Sequence, residues 1–178
     1  HSGFDWFEIK ESFQRNIREW RYARGASTLT QQLAKNLYLK PEKSLSRKLK
    51  EFFIALQLEK RLSKPLILEK YLNIVQFGDA IYGLKAASAY YFKKKPSRIN
   101  LLESIYLVSL LPNPKTLSQS FLKKTLVSDN LWRMEVILDR LYRTKKISDN
   151  TYVYTKMLME DYDWPFHHYN KYEAYPDQ

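Results

Sequence analysis

Apolar side chains recur along the chain at spacings of three and four residues, which is the pattern of amphipathic helices. The first predicted helix covers residues 5–24. Its apolar stripe consists of Ile9, Phe13, Ile17 and Trp20. Ser27 or Thr28 can cap a second helix through a side-chain hydroxyl. That second helix is predicted to turn one row of leucines inward: Leu29, Leu33 and Leu37.

The later helices are predicted from caps, prolines and further apolar rows. A long helix is expected over residues 44–61, with a buried stripe of Leu45, Leu49, Phe52, Phe53 and Leu56. Ser63 and Pro65 indicate the start of a helix that ends at Val75. A loop with two glycines follows, and the next predicted helix ends at Phe92. A further helix is expected from Asn100 to Pro112 and starts with a capping box. The last two predicted helices cover residues 128–142 and 148–161.

The organisation of the chain follows from this pattern and from its composition. No convincing alternation of apolar and polar residues indicates a strand, and no repeat or low-complexity linker interrupts the 178 residues. We therefore predict an all-α protein that forms a single domain over residues 1–178. The absence of cysteine excludes a disulfide framework, a zinc–thiolate site and a thiol nucleophile. No apolar run approaches the roughly 18 residues of a membrane-spanning helix.

Charge narrows the class of partner. The chain has 30 Lys and Arg against 19 Asp and Glu, a net charge of +11, and 15% of its residues are aromatic. Such a balance is typical of proteins that bind a polyanion, which can be nucleic acid, anionic lipid or a phosphorylated substrate. A nucleic-acid-binding module and a membrane-surface enzyme are therefore both open at this point.

The first stretch that carries candidate chemistry is residues 25–36. On a helix its polar side chains share one face, so that two amides, a hydroxyl and an ammonium group point the same way. These side chains are Thr28, Gln31, Gln32 and Lys35, and Asn36 completes the polar strip. A helix start just after Gly25 also offers backbone N–H groups to an anion. The alternative is an ordinary solvated polar face.

The second stretch contains Arg47, Lys48 and Glu51. Spacings of four and three residues place both cations beside the carboxylate on one helix face. A carboxylate among cations can hold a metal ion, neutralise a cationic transition state or orient the cations around a phosphate. The alternative is a plain surface ion pair that contributes a few tenths of a kcal/mol.

These two stretches resemble the motifs of peptidoglycan glycosyltransferases, the lysozyme-like family that polymerises lipid II. Residues 25–36 resemble the family's Gly-Gly/Ala-Ser-Thr-x-Thr-Gln-Gln-x-x-Lys-Asn motif, and Arg47-Lys48-x-x-Glu51 resembles its Arg-Lys-x-x-Glu motif. Residues 67–83 resemble its Ile-Leu-Glu-x-Tyr-Leu-Asn, Phe-Gly and Tyr-Gly element. Residues 101–114 resemble the last motif and residues 1–5 the end of the first, so the resemblance covers about residues 3–114 in the right order.

The resemblance implies a lysozyme-like helical glycosyltransferase domain. Glu51 matches the family's second glutamate, which assists the departing undecaprenyl pyrophosphate directly or through a divalent metal, Mg or Mn; no organic cofactor is expected. The residues that match the donor site, or carry cations suited to its phosphates, are Ser27, Thr28, Gln31, Gln32, Lys35, Asn36, Lys43, Arg47 and Lys48. Lys43 stands where many members carry arginine, and lysine cannot grip a phosphate in the bidentate manner of arginine.

The resemblance also places the family's first glutamate, the general base, upstream of His1. We therefore expect that the chain is an N-terminally truncated piece, inactive by itself and without its membrane anchor, from a monofunctional enzyme on the outer face of the bacterial cytoplasmic membrane. The partners it implies are lipid II, the growing lipid-linked strand, an anionic membrane surface and cell-wall synthesis proteins, but no nucleic acid.

Three other functions stay open on the sequence. A basic helical nucleic-acid-binding module would bind duplex with a steep salt dependence. A lytic, lysozyme-like muramidase would cleave finished glycan strands. A non-catalytic member of the family would bind lipid II without polymerising it.

Overall fold

The computed structural model describes residues 28–39, 44–122 and 128–160. The predicted helix over residues 5–24 lies outside these ranges, as do Ser27, Lys43 and the residues after 160. Along the chain the described elements are α1 (Leu29–Tyr38), α2 (Leu45–Arg61), α3 (Lys64–Ile74), β1 (Gln76–Gly78), β2 (Ile81–Tyr82), α4 (Leu84–Phe92), a 3-10 turn (Pro96–Arg98), α5 (Leu101–Leu110), α6 (Pro114–Leu117), α7 (Gln119–Leu122), α8 (Ser128–Arg143) and α9 (Asp149–Glu160).

The helical class and most helix bounds agree with the sequence prediction. Thr28 and Ser44 are the N-caps of α1 and α2, and the hydroxyl of each accepts a hydrogen bond from the first turn. Asn100 and Glu103 form the predicted capping box at the start of α5. The caps were predictable because they depend on residues within four positions of one another.

The chain divides into two compact units, residues 1–75 and 76–178. The prediction that residues 1–178 form a single domain stays a prediction. In the described part of the chain no helix combines the length and the apolarity needed to cross a bilayer.

The first unit packs α1 against α2 and α3. One buried apolar cluster of this unit joins two small residues, Ala34 of α1 and Ala55 of α2, both fully buried. Alanine leaves the helix backbones room to approach closely, and the larger side chains of α2 then pack around that contact. The faces on which α1 and α2 pack against each other therefore follow these small residues rather than the largest apolar side chains.

Two predicted apolar stripes in this unit are wrong for this reason. On α1, Leu33 is buried but Leu29 and Leu37 are exposed. The buried arc of α1 is displaced from the leucine row by about a quarter of a turn and includes Thr30 and Gln31.

On α2, three of the five residues predicted to be buried are exposed: Leu45 by 75%, Leu49 by 62% and Phe53 by 62%. Phe52 and Leu56 are half-buried. The fully buried residues of α2 are Glu51 and Ala55, which lie one turn apart and follow the alanine contact. The helix thus buries a charged side chain and exposes large apolar ones.

The second unit begins with an antiparallel hairpin of β1 and β2, in which Gln76 pairs with Tyr82 and Gly78 with Ile81. The sequence predicted a loop here. Strands of three and two residues are too short to show the alternation by which a strand is recognised.

The core of the second unit is apolar and largely aromatic. Its largest fully buried side chains include Phe77, Tyr91, Phe92 and Tyr106. The Tyr91 ring lies edge-on to Tyr106 and to Phe121, with ring centroids 5.6 and 4.8 Å apart. Helix α5 packs against both α8 and α9. These aromatic side chains point inward, as the hydrophobic effect favours.

Candidate active site

The start of α1 holds the first group of candidate side chains. The Thr28 backbone N–H donates to Gln31 Oε1 over 3.0 Å, and the Gln31 N–H donates to Thr28 Oγ1 over 3.3 Å. This reciprocal capping box buries both side chains. For Thr28 and Gln31 the alternative of a solvated polar face is therefore wrong.

The rest of the polar strip on α1 is more open. Gln32 is half-buried, and its Oε1 accepts a hydrogen bond from the Tyr71 hydroxyl of α3 over 3.1 Å. Lys35 and Asn36 are exposed. The strip thus runs from a buried amide at Gln31 to an exposed ammonium group at Lys35, all within the first unit.

The second group lies in the first two turns of α2. The Glu51 side chain is only 2% exposed, and each of its oxygens faces a cation. Lys48 Nζ donates to Oε1, and Arg47 Nη1 lies 3.5 Å from Oε2. Because a buried carboxylate without a partner would cost several kcal/mol, the two cations are what allow Glu51 to lie in the interior.

This arrangement corrects the surface-pair alternative for Arg47, Lys48 and Glu51. The spacings of three and four residues do produce ion pairs, but the carboxylate is buried rather than solvated. The Lys48 side chain is about half exposed, whereas Arg47 is mostly covered and its Nε makes no hydrogen bond among the described residues. Arg47 therefore keeps a buried donor for a further acceptor.

The side chains around Glu51 do not suit a divalent metal. Among the described residues no three His, Cys, Asp or Glu side chains lie close enough together to hold one ion. Both oxygens of Glu51 already face cations, so a metal at this carboxylate would have to displace Lys48 or Arg47. Mg and Mn bind mainly through several oxygen ligands, which these residues do not supply.

Several contacts near the candidate site were not foreseen from the sequence. Glu59 of α2 accepts hydrogen bonds from the Thr30 hydroxyl of α1 and from Lys64 Nζ of α3, so one carboxylate joins three helices. Tyr71 reaches Gln32 in a similar way. Tyr71 lies in the segment that resembles a family motif, so the sequence does draw attention to this position. Nothing in the local sequence distinguishes Glu59 from other charged residues of a helix face.

The structure therefore brings together most of the candidate residues within the first unit. Thr28, Gln31 and Gln32 lie on α1, which packs against the helix that carries the other group, Arg47, Lys48 and Glu51. Ser27 and Lys43 lie outside the described residues. The binding roles of the whole set stay predictions.

Comparison with known proteins agrees with these motifs. A family model described as Transglycosylase matches residues 1–142. The "Biosynthetic peptidoglycan transglycosylase" of Alcanivorax borkumensis is 46% identical over 114 residues, which are 64% of this chain and 46% of the relative. The protein of the same name from Thiobacillus denitrificans is 44% identical over 115 residues, 65% of this chain and 50% of the relative.

A third such protein, from Aromatoleum aromaticum, is 43% identical over 121 residues, 68% of this chain and 53% of the relative. The chain spans about half the length of the curated relatives it matches. The family model covers well over half of the chain and includes both groups of candidate side chains. The chain therefore belongs to the transglycosylase family.

Proposed function

We propose that the chain supplies the catalytic helices of an enzyme that polymerises lipid II into peptidoglycan glycan strands and releases undecaprenyl pyrophosphate. The observation that carries the proposal is the buried Glu51 with Arg47 and Lys48 on its two oxygens. The names of the relatives, biosynthetic peptidoglycan transglycosylase, support the same reaction. Family membership makes a nucleic-acid-binding module the weaker alternative.

In this reaction the 4-hydroxyl of the acceptor sugar attacks the anomeric carbon of the lipid-linked strand. A new C–O bond forms there while the bond to pyrophosphate breaks, and the pyrophosphate leaves with the electron pair. The proton of the hydroxyl passes to a general base, which the family resemblance assigns to a glutamate upstream of His1. The chain's own task is to stabilise the negative charge that develops on the leaving group.

The described side chains suit that task. Lys35, Arg47 and Lys48 carry fixed positive charge, and charge-assisted hydrogen bonds from such groups to phosphate oxygens are stronger than neutral ones. Glu51 holds two of these cations in place from the protein interior. We therefore assign Glu51 the role of keeping Arg47 and Lys48 oriented toward the departing pyrophosphate.

The test is lipid II polymerisation by the complete gene product and by its Glu51→Gln variant. Loss of the negative charge releases both cations, and the rate should fall about 100-fold or more. Asp139→Asn is the control, because Asp139 also has a carboxylate that accepts a side-chain hydrogen bond, from Tyr152, but lies in the second unit and outside the motif segments. Its rate should stay within about threefold, with circular dichroism confirming that both variants are folded.

The outcomes separate the candidate functions. Glycan strands from the parent and almost none from Glu51→Gln support the proposal. Equal polymerisation by both would remove Glu51 from the mechanism. Binding of lipid II without polymer from either protein would favour the non-catalytic member of the family, and cleavage of finished strands would favour a muramidase.

We also propose that α2 contributes to a contact with an anionic bilayer on the outer face of the cytoplasmic membrane. Leu45, Leu49 and Phe53 are exposed at four-residue spacing, and the exposed Lys50 lies beside them. An apolar row with flanking cations suits a bilayer surface that carries negative headgroups. The lipid carrier of the proposed substrate would be reached from that surface.

Co-sedimentation with vesicles tests this contact. Vesicles of phosphatidylglycerol and phosphatidylcholine should bind the protein more tightly than vesicles of phosphatidylcholine alone, and 0.5 M salt should weaken the difference. The Leu49→Ser/Phe53→Ser double variant should bind about tenfold less. Val153→Ser in α9, also at an exposed apolar residue, is the control. Equal binding by both variants would contradict a role for α2.

A further inference from the structure

Gln31 and Gln32 are neighbours on α1, and the oxygen of each side-chain amide is already bound within the first unit. Gln31 Oε1 accepts from the Thr28 backbone N–H over 3.0 Å. Gln32 Oε1 accepts from the Tyr71 hydroxyl over 3.1 Å. Neither amide nitrogen makes a hydrogen bond within residues 28–39, 44–122 and 128–160. Both side chains can therefore donate N–H groups to a ligand, whereas the oxygen of each amide is already bound within the protein.

The two amides are held by different means. The oxygen of Gln31 is bound by the backbone of its own helix, so its orientation follows from the capping box alone. The oxygen of Gln32 is bound by a side chain from another helix, α3, 39 residues further along the chain. Only tertiary packing therefore sets which way the Gln32 amide points.

Tyr71 is well suited to hold that orientation. Its side chain is buried, with 2% of the residue exposed, so its hydroxyl has few alternative partners in water. Burial raises the pKa of the Tyr71 phenol above its ordinary value of 10.0, which keeps the hydroxyl protonated through neutral and mildly alkaline pH. In the structure this hydroxyl donates to the amide oxygen of Gln32, which leaves the amide nitrogen pointing away from Tyr71.

We propose that Tyr71 is a positioning residue that holds the Gln32 amide with its N–H groups directed to the oxygens of the bound donor substrate. This inference rests on the proposed function, because pyrophosphate and sugar groups present many acceptor oxygens. A flipped amide would turn its own oxygen toward those oxygens, and two acceptors repel each other. The Gln32 amide then adds N–H donors to those of Gln31 and of the cations of α2.

The kinetic test is the Tyr71→Phe variant of the complete gene product. Phenylalanine fills the same volume and removes only the hydroxyl, so the Gln32 amide becomes able to flip. We expect the KM for lipid II to rise about three- to tenfold, which is the effect of one neutral hydrogen bond, while kcat stays within about twofold. A change in kcat alone would contradict positioning of a binding group.

A double-mutant cycle shows whether the effect passes through Gln32. In a Gln32→Ala background the Tyr71→Phe change should alter KM by less than about 1.5-fold, because no amide is left to orient. The matched control is Tyr91→Phe, which also removes a buried hydroxyl that donates to a neighbouring oxygen, the Phe77 carbonyl of the second unit. It should leave KM unchanged. Equal effects of Tyr71→Phe in both backgrounds would overturn the proposal.

A measurement without substrate separates this inference from the proposed function. In ¹⁵N-labelled protein the side-chain amide signal of Gln32, assigned by its loss in Gln32→Ala, should shift in Tyr71→Phe and not in Tyr91→Phe. An unchanged signal overturns the proposal whatever the enzyme does with lipid II. If the signal shifts but no protein polymerises lipid II, the proposed function fails. A change in lipid II affinity in Tyr71→Phe then decides whether the amide serves binding.

Discussion

The two units of the chain differ in the large side chains that they bury and expose. In the first, Gln31 and Glu51 lie in the interior while Leu49 and Phe53 face outward. In the second, aromatic rings such as Tyr91 and Phe92 fill the core, as in an ordinary globular protein. Buried polar groups cost free energy unless they are paired, so a unit that buries them gives up some stability for the arrangement of those groups. The buried Gln31 and Glu51 also lie in the family-like motifs, so the polar interior of the first unit is the candidate functional part.

The two units also differ in how each holds a buried glutamate, Glu51 in the first and Glu103 in the second. The Glu103 side chain accepts from Lys94 Nζ over 3.0 Å and from the Asn100 backbone N–H over 2.8 Å, so it caps a helix. Glu51 is equally buried but faces two long cationic side chains and no backbone donor among the described contacts. A carboxylate tied to the backbone serves the fold, whereas one that holds cations can serve a phosphate ligand.

The largest expected effect comes from truncation of an aromatic residue in the second unit. Phe92→Ala should lower the free energy of unfolding by about 3–5 kcal/mol, because it leaves a cavity in a tightly packed core. Phe53→Ala, at an exposed position of the first unit, should change it by about 0.5 kcal/mol or less. Urea denaturation followed by circular dichroism measures both. Similar losses in the two variants would remove the contrast between the units.

The tightness of the second unit can be tested at Gly78. A Cβ at this position would lie 2.5 Å from the Tyr91 hydroxyl and 3.0 Å from Ile81 Cδ1, so neighbouring atoms would have to shift. Gly78→Ala should therefore destabilise the protein by about 1–3 kcal/mol, as overpacking of a core does. Thermal denaturation checks the value, and in the Tyr91→Phe background the loss should shrink. An unchanged melting temperature would mean that the hairpin packs loosely.

The polar framework of the first unit can be tested at its cap. Thr28→Ala removes the hydroxyl that accepts from the Gln31 N–H and should lower the free energy of unfolding by about 1 kcal/mol. Thr28→Ser keeps the hydroxyl and is the matched control. Denaturant titrations of the two variants measure the difference, and equal stability would show that the capping box contributes nothing.

The smallest expected effect is a pH dependence that arises in the second unit. Burial raises the pKa of Tyr91 to about 12 from 10.0, so the folded state favours the protonated phenol. The resulting stability is fully present below pH 10 and is lost as the pH rises toward 12. Between pH 9 and pH 11 the free energy of unfolding should therefore decrease more for the parent protein than for Tyr91→Phe. An equal fall in both would contradict the burial of this phenol.

Much of the fold was predictable because it depends on short-range rules. The caps at Thr28, Ser44 and Asn100 and the proline in the first turn of α3 act within one helical turn, so their residues indicate the helix starts directly. The motif spacings likewise placed Arg47, Lys48 and Glu51 on one face of a helix. Which helix face would be buried was not predictable, because hydropathy favoured Leu45, Leu49 and Phe53.

Sequence alone thus established the helical class, most helix bounds and the family-like motifs, since helix formation and capping are local. Tertiary structure decided that Glu51 lies buried between two cations and that Tyr71 reaches Gln32. It also decided that an alanine contact, rather than the leucine row, sets the packed face of α2. The burial of Glu51 and the contacts of Tyr71 and of the alanines depend on how closely two helix backbones approach, which no spacing along one helix encodes.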